Sequence, residues 1–183
     1  MSGALDIEGM ISAEELLFLE GLAREVQPPE CIVEVGSYRG RSTAALAAGS
    51  RAGGGAAVYA IEPHEQFTGV LGGQFGPEDR KHFFQNMLHA GATDEVRLVN
   101  LSSEVIAPGW TTPIGLLWLD GDHAYEGVAR DFRVWEPHLA DGAPVAFHDS
   151  NATGVERLLR ELVAAGWHVD ATVGIVTVLR GSA

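Results

Sequence analysis

The strongest constraint on folding is the stretch Val33-Glu34-Val35-Gly36-Ser37-Tyr38-Arg39-Gly40-Arg41-Ser42-Thr43, in which an apolar run ends on an acid and a glycine. A helix of small residues follows. This order reads as a strand, a tight turn and a helix start, the opening unit of an α/β fold. Gly36 and Gly40 leave bare backbone for a ligand to lie against. A dinucleotide-binding turn carries a third glycine between such a pair, so that a pyrophosphate meets the helix N-terminus. Here Tyr38 stands in its place. No Lys-Ser or Lys-Thr pair follows Gly40, which excludes a phosphate loop as well.

The 183 residues suit one domain, 1–183, with 1–29 forming an N-terminal helix and candidate substrate lid and 30–183 the ligand-binding core. A formal charge of −13 argues against nucleic acid and anionic membranes, both of which call for clustered Lys and Arg. A small-molecule partner is expected. The single cysteine, Cys31, has no internal disulfide partner, and a reducing cytoplasm suits it. Neither a secretory leader nor an apolar stretch near the roughly 20 residues of a membrane span is evident.

Short β-rich runs alternate with segments of helical period, implying βαβ units around a mostly parallel sheet. The first helix starts at Ser12, with Glu15 closing a capping box, and its apolar face is Leu16, Leu19, Leu22, Ala23 and Val26. Pro28-Pro29 ends it, and the first strand runs from Ile32. Further strands are expected at 57–62, 96–100, 114–120, 144–149, 167–173 and 175–179. Three more helical faces are Phe83/Phe84/Met87/Leu88, Val128/Phe132/Trp135/Leu139 and Val155/Leu158/Leu159/Leu162/Val163. Residues 63–78, rich in glycine and without period, read as a long loop and candidate lid.

In a doubly wound sheet, ligands bind beyond the carboxyl ends of the strands. Five strands here end in polar patches: Glu34 to Ser37, Glu62, Asn100 to Ser103, Asp120 to His123, and His148 to Asn151. The acid before Gly36 suits a positively charged ligand, and S-adenosylmethionine, with its ammonium and sulfonium, fits where NAD does not. Glu34 either caps the turn or meets that ammonium. Glu62 stands where a carboxylate accepts ribose hydroxyls; solvation of a strand end is the alternative. Ser102 and Ser103 suit an adenine edge or a helix cap. Asp120, His148 and Asp149 make a mixed oxygen and nitrogen set suited to Mg²⁺, Mn²⁺ or Fe²⁺, unless they only bond loop backbone. His123 is the candidate general base, since imidazole titrates nearest neutrality. His82, His89 and His138 read as helix-surface residues, and His64 as a pocket or solvated loop residue.

With these residues in view, 31–180 resembles a class I S-adenosylmethionine-dependent methyltransferase. Val33 to Gly40 with Ser42-Thr43 is similar to that family's cofactor motif, and Ile61-Glu62 to its ribose-binding acid. Trp118 to Tyr125, with Trp135, Leu139, Gly142 and Phe147-His148-Asp149, resembles a narrower branch of small-molecule O-methyltransferases. That branch is related to macrolide-sugar enzymes and more distantly to catechol enzymes. The resemblance implies a single-domain Rossmann-like fold with a seven-stranded, mostly parallel sheet in the order 3-2-1-4-5-7-6 and helices on both faces. It implies cofactor contacts from Glu34, Gly36, Ser37, Gly40, Ser42, Thr43, Glu62, Ser102, Ser103 and Asp120. In such relatives the counterpart of Asp120 and an acidic pair after strand five bind a divalent ion; here His148-Asp149 stands in place of that pair, and His123, three residues after Asp120, would be the base. The expected reaction is methyl transfer to a hydroxyl of a sugar or natural product. A metal-free O- or N-methyltransferase and a non-catalytic methyltransferase-like subunit are the alternatives. A homodimer, in which a second chain completes the lid, is also expected.

Overall fold

The computed structural model describes residues 3–69 and 72–181. Positions 70 and 71 of the expected lid, and both chain ends, lie outside the described residues.

Helix α1 (Ala13–Glu25) begins at the expected capping box: Ser12 Oγ accepts from Glu15 N–H, and Glu15 Oε2 accepts from Ser12 N–H. Then follow β1 (Cys31–Val35), α2 (Arg41–Ala52), β2 (Val58–Ile61), a hairpin of β3 (Phe67–Thr68) and β4 (Gln74–Phe75), and α3 (Pro77–His89). The chain continues through β5 (Val96–Val99), a single turn α4 (Ser103–Ile106), β6 (Ile114–Leu119) and α5 (Tyr125–Trp135). It ends in β7 (Pro144–Phe147), α6 (Thr153–Ala164), β8 (His168–Val173) and β9 (Val176–Arg180). The main sheet runs β5-β2-β1-β6-β7-β9-β8, with β9 antiparallel to both its neighbours. This is the expected seven-stranded order once the small hairpin, which falls in the expected loop 63–78, is set aside.

Every residue of β1, β6 and β7 is buried. The period of two divides them between the two faces. Ile32, Leu116 and Trp118 pack toward α1, α2 and α3, while Val33, Leu117, Leu119 and Phe147 pack toward α5 and α6. The expected face of α3 is half correct. Phe83 and Met87 are buried one turn apart, but Phe84 and Leu88 (71% exposed) lie about 100° further round the helix, in solvent. Val163 of α6 is exposed for the same reason.

Helices α1 and α2 pack closely because α2 carries a glycine at their contact. A methyl on Gly49 would lie 2.2 Å from the carbonyl oxygen of Glu20. In an exposed helix, Gly→Ala stabilises by about 1 kcal/mol. Gly49→Ala should do the opposite and destabilise by about 1 to 3 kcal/mol through overpacking. Urea unfolding of the variant checks the sign.

Candidate active site

The carboxyl ends of the central strands open into one cleft of about 800 Å³, a size suited to a cofactor and a small second ligand together. The turn after β1 forms its floor. Gly36 is left-handed (φ 85°), and a Cβ there would lie 2.4 Å from the carbonyl oxygen of Asp120. Gly36 therefore lets the ends of β1 and β6 meet as well as lining the cleft. Gly40 is also left-handed (φ 88°), but it faces the Met87 and Phe83 side chains and does not line the cleft. In the structure Gly40 packs on α3.

Glu34 is fully buried, and both its oxygens are taken: Ser42 Oγ donates to Oε1 and Thr43 Oγ1 to Oε2, each at 2.5 Å. The sequence left capping and ligand contact open for Glu34; in the structure it braces the start of α2. Ser42 still lines the cleft, whereas Glu34 and Thr43 do not. Burial pushes the Glu34 carboxyl up to about 8, although the two hydroxyls oppose the shift.

Glu62 lines the cleft with its carboxylate fixed from behind, Oε1 accepting from His64 N–H (2.9 Å) and Oε2 from Tyr38 N–H (3.3 Å). His64 is not a solvated loop residue: it is buried, its Nε2–H donates to the Tyr38 carbonyl (2.9 Å), and its Nδ1 accepts from Asn100 Nδ2 (3.1 Å). Ser102 and Ser103 line the cleft beyond β5. The Ser102 side chain makes no cap bond to α4. Asp131 of α5, which sequence reasoning passed over as part of a helical face, lines the cleft beside Gly121 and is 7% exposed. Burial raises its carboxyl to about 6 against the neighbouring Ser103 hydroxyl. An acid one position before the core residue Phe132 gave no separate signal.

The ends of β6 and β7 bring Asp120, His123, His148 and Asp149 together, with one donor atom from each lying within 4.8 Å of the others. His148 Nδ1 is 2.9 Å from Asp120 Oδ1 and 3.4 Å from Asp149 Oδ2; His123 Nε2 is 3.5 Å and 3.2 Å from the same two oxygens. These nitrogens are buried, and none is aligned for a hydrogen bond. The four groups form one cluster of mutually close donor atoms. Asp149 reaches it from a left-handed backbone (φ 46°). Burial pulls both imidazoles down, but the adjacent carboxylates prevail, raising His123 and taking His148 up to about 10. The His148 contact holds Asp149 low. The expected set of Asp120, His148 and Asp149 is thus brought together, with His123 beside it. His82 and His138 are half-buried in helical segments, while His89 and His168 are exposed, away from the cleft.

A sheet of this order, with a glycine turn at the carboxyl end of its first strand, is the architecture implied by the resemblance to a methyltransferase. The family described as "Methyltransferase domain" matches residues 33–150, and the chain belongs to it. Among solved structures, the O-methyltransferase of Bacillus cereus in complex with S-adenosylhomocysteine is 20% identical, with a TM-score of 0.71, over 98% of this chain and 86% of that one. TomG, an O-methyltransferase of Streptomyces achromogenes in complex with S-adenosylmethionine, is 19% identical, with a TM-score of 0.70, over 95% and 82%. CalS11, a TDP-rhamnose 3′-O-methyltransferase, is 20% identical, with a TM-score of 0.66, over 91% and 78%. At such identities the likeness speaks for the fold.

The Glu34 brace gives a testable pH dependence. The folded state holds the Glu34 proton (about 8) more tightly than an ordinary carboxyl at 4.5. Its contribution to stability is therefore full below 4.5 and lost as pH rises through 8. Relative to Glu34→Gln, wild-type unfolding free energy should decline across that window and level off above it, as chemical denaturation at a series of pH values would show.

Proposed function

We propose that the chain transfers the methyl group of S-adenosylmethionine to a hydroxyl of a small molecule of sugar or natural-product type, with a divalent cation assisting. The observation that carries this reading is the convergence of Asp120, His123, His148 and Asp149 in the same cleft as the Gly36 turn. The donor is an electrophile at its methyl carbon, and transfer is an in-line displacement that depends mainly on alignment, worth roughly 7 to 11 kcal/mol of barrier when reactants are well oriented. Glu62 takes the ribose hydroxyls, and Ser102 and Ser103 the adenine edge.

Two carboxylate oxygens and unpartnered imidazole nitrogens fit a mixed-donor cation, and the imidazoles favour Mn²⁺ or Fe²⁺ over Mg²⁺. Asp120, His148 and Asp149 would hold the ion, which would acidify a hydroxyl bound to it. His123, the imidazole further from Asp120, accepts the hydroxyl proton. Six acids (Glu62, Glu65, Asp120, Asp122, Asp131, Asp149) and two arginines (Arg41, Arg130) line the cleft, which favours an uncharged or cationic acceptor. The second reading, metal-free transfer, is favoured by one observation: a charged His148 between Asp120 and Asp149 would neutralise them unaided.

The same reading takes 1–183 as one domain acting in the cytoplasm, without a nucleic-acid or membrane partner, and as a homodimer whose second copy adds to the cover of the cleft. No described helix is long and apolar enough to cross a membrane.

Transfer from labelled S-adenosylmethionine to a panel of hydroxylated acceptors, before and after chelation, tests the reaction. Asp149→Ala should abolish turnover and leave S-adenosylhomocysteine affinity nearly intact. Full activity after exhaustive chelation would decide for the metal-free reading. His123→Ala should lower turnover by roughly 10² to 10⁴-fold with cofactor affinity unchanged; wild-type turnover in that variant would remove His123 from the role.

A further inference from the structure

Helix α1 carries a glycine, Gly21, in its interior, where glycine is less favourable than any residue but proline. The glycines inside α2, α5 and α6 each have an internal reason. A Cβ on Gly49 would lie 2.2 Å from a neighbouring atom, and one on Gly127 or Gly154 would lie 2.3 Å from one. Gly21 has no such reason: a Cβ there would meet nothing among the described residues within 4 Å, and the position is exposed.

Gly21 lies on the outer face of α1, away from the buried Leu16, Leu19 and Ala23. Glu14, Leu17 and Arg24 share that face, at steps of three, four and three residues along the helix. All three are exposed, Leu17 to 63%. Among the described residues Arg24 has one carboxylate near it, that of Glu20 one turn back at 3.8 Å. The stripe Glu14-Leu17-Gly21-Arg24 is complementary to its own reverse. When two copies of α1 lie antiparallel with their centre at the level of Leu19, Leu17 of each faces Gly21 of the other, and Glu14 of each faces Arg24 of the other. A parallel pair would set Glu14 on Glu14 and Arg24 on Arg24, so charge selects the antiparallel arrangement.

We infer that the outer face of α1 is a docking surface for a second copy of this chain, packed antiparallel about a twofold axis, an inference that rests on the homodimer reading above and gives it an interface. Each Leu17 side chain fills the space that the facing Gly21 leaves open, and every contact occurs twice, as a twofold axis requires. The pairing also reaches the cleft. Gly9, Met10 and Ile11 line it and lead directly into Ser12, the cap of α1, so a helix held by a second copy holds that edge of the cleft in place.

Sedimentation equilibrium of the full chain over a concentration series tests this, with far-UV circular dichroism alongside to report the fold. Wild type should dimerise. Leu17→Asp and Gly21→Leu should each weaken the dimer by about 10- to 100-fold, by placing a charge in the seam or filling the space that Leu17 needs. Glu14→Arg and Arg24→Glu should each weaken it by about 3- to 10-fold, and the two together should bring it back to within about twofold of wild type, because the swap restores opposite charges across the seam. Should Leu17→Asp lose helicity, Gly21→Leu decides, since leucine favours the helix. A wild-type dimer that these variants leave unchanged, or a charge swap that fails to restore it, overturns this inference alone. A wild type that stays monomeric throughout the series overturns the homodimer reading with it.

Discussion

The site depends on one close approach, that of the turn after β1 to the end of β6. Asp120 N–H donates to the Val35 carbonyl at 2.9 Å, and the glycine that follows Val35 has no side chain to keep the strands apart. One strand further, His148 N–H donates to the Leu119 carbonyl at 3.0 Å. Two backbone bonds thus set the registers of Gly36, Asp120 and His148. A residue with a Cβ at 36 would push β6 away and carry Asp120 with it. The glycine is a condition of the cluster before it is a contact for any ligand.

Strain gathers around the same place. Tyr38, His64 and Asp149 are the non-glycine residues with positive φ among the described residues, and all three adjoin the cleft. Such conformations persist only where surrounding bonds determine them. For Tyr38 and His64 those bonds are mutual: each backbone N–H donates to Glu62, and the His64 ring holds the Tyr38 carbonyl. The Glu62 carboxylate is thereby fixed by main chain, which leaves its position independent of side-chain rotamers. Tyr38 then meets Phe75 of the small hairpin edge-on, at 5.3 Å between ring centroids, linking the turn that holds Glu62 to the hairpin.

The sheet was legible because β6 and β7 are apolar throughout, β1 is apolar but for Glu34, and each ends abruptly in polar residues, a pattern set by burial on both faces. Asp120, His148 and Asp149 were legible for the same reason, as the first polar groups after buried strands. What escaped depends on distance in space. His64 sits in a loop, and nothing local reveals that Asn100 and the Tyr38 carbonyl close around it. Glu15 looked complete as a capping residue, yet its second oxygen accepts from Ile175 N–H at 2.8 Å and ties α1 to the far hairpin. Phe84 and Leu88 were misplaced because an apolar cluster of four at i, i+1, i+4 and i+5 has two faces, and α3 buries one.

Charge divides the cleft along the same lines as the chain. A protein of net charge −13 repels anions at a distance. The acids in and behind the lining differ in what opposes them. Glu34 is hidden behind the turn with its proton held, Glu62 is satisfied by backbone N–H groups, and Asp120 and Asp149 face two imidazoles. These four acids are thus compensated by three different devices. Such local compensation lowers the cost of gathering so many acids around one cleft.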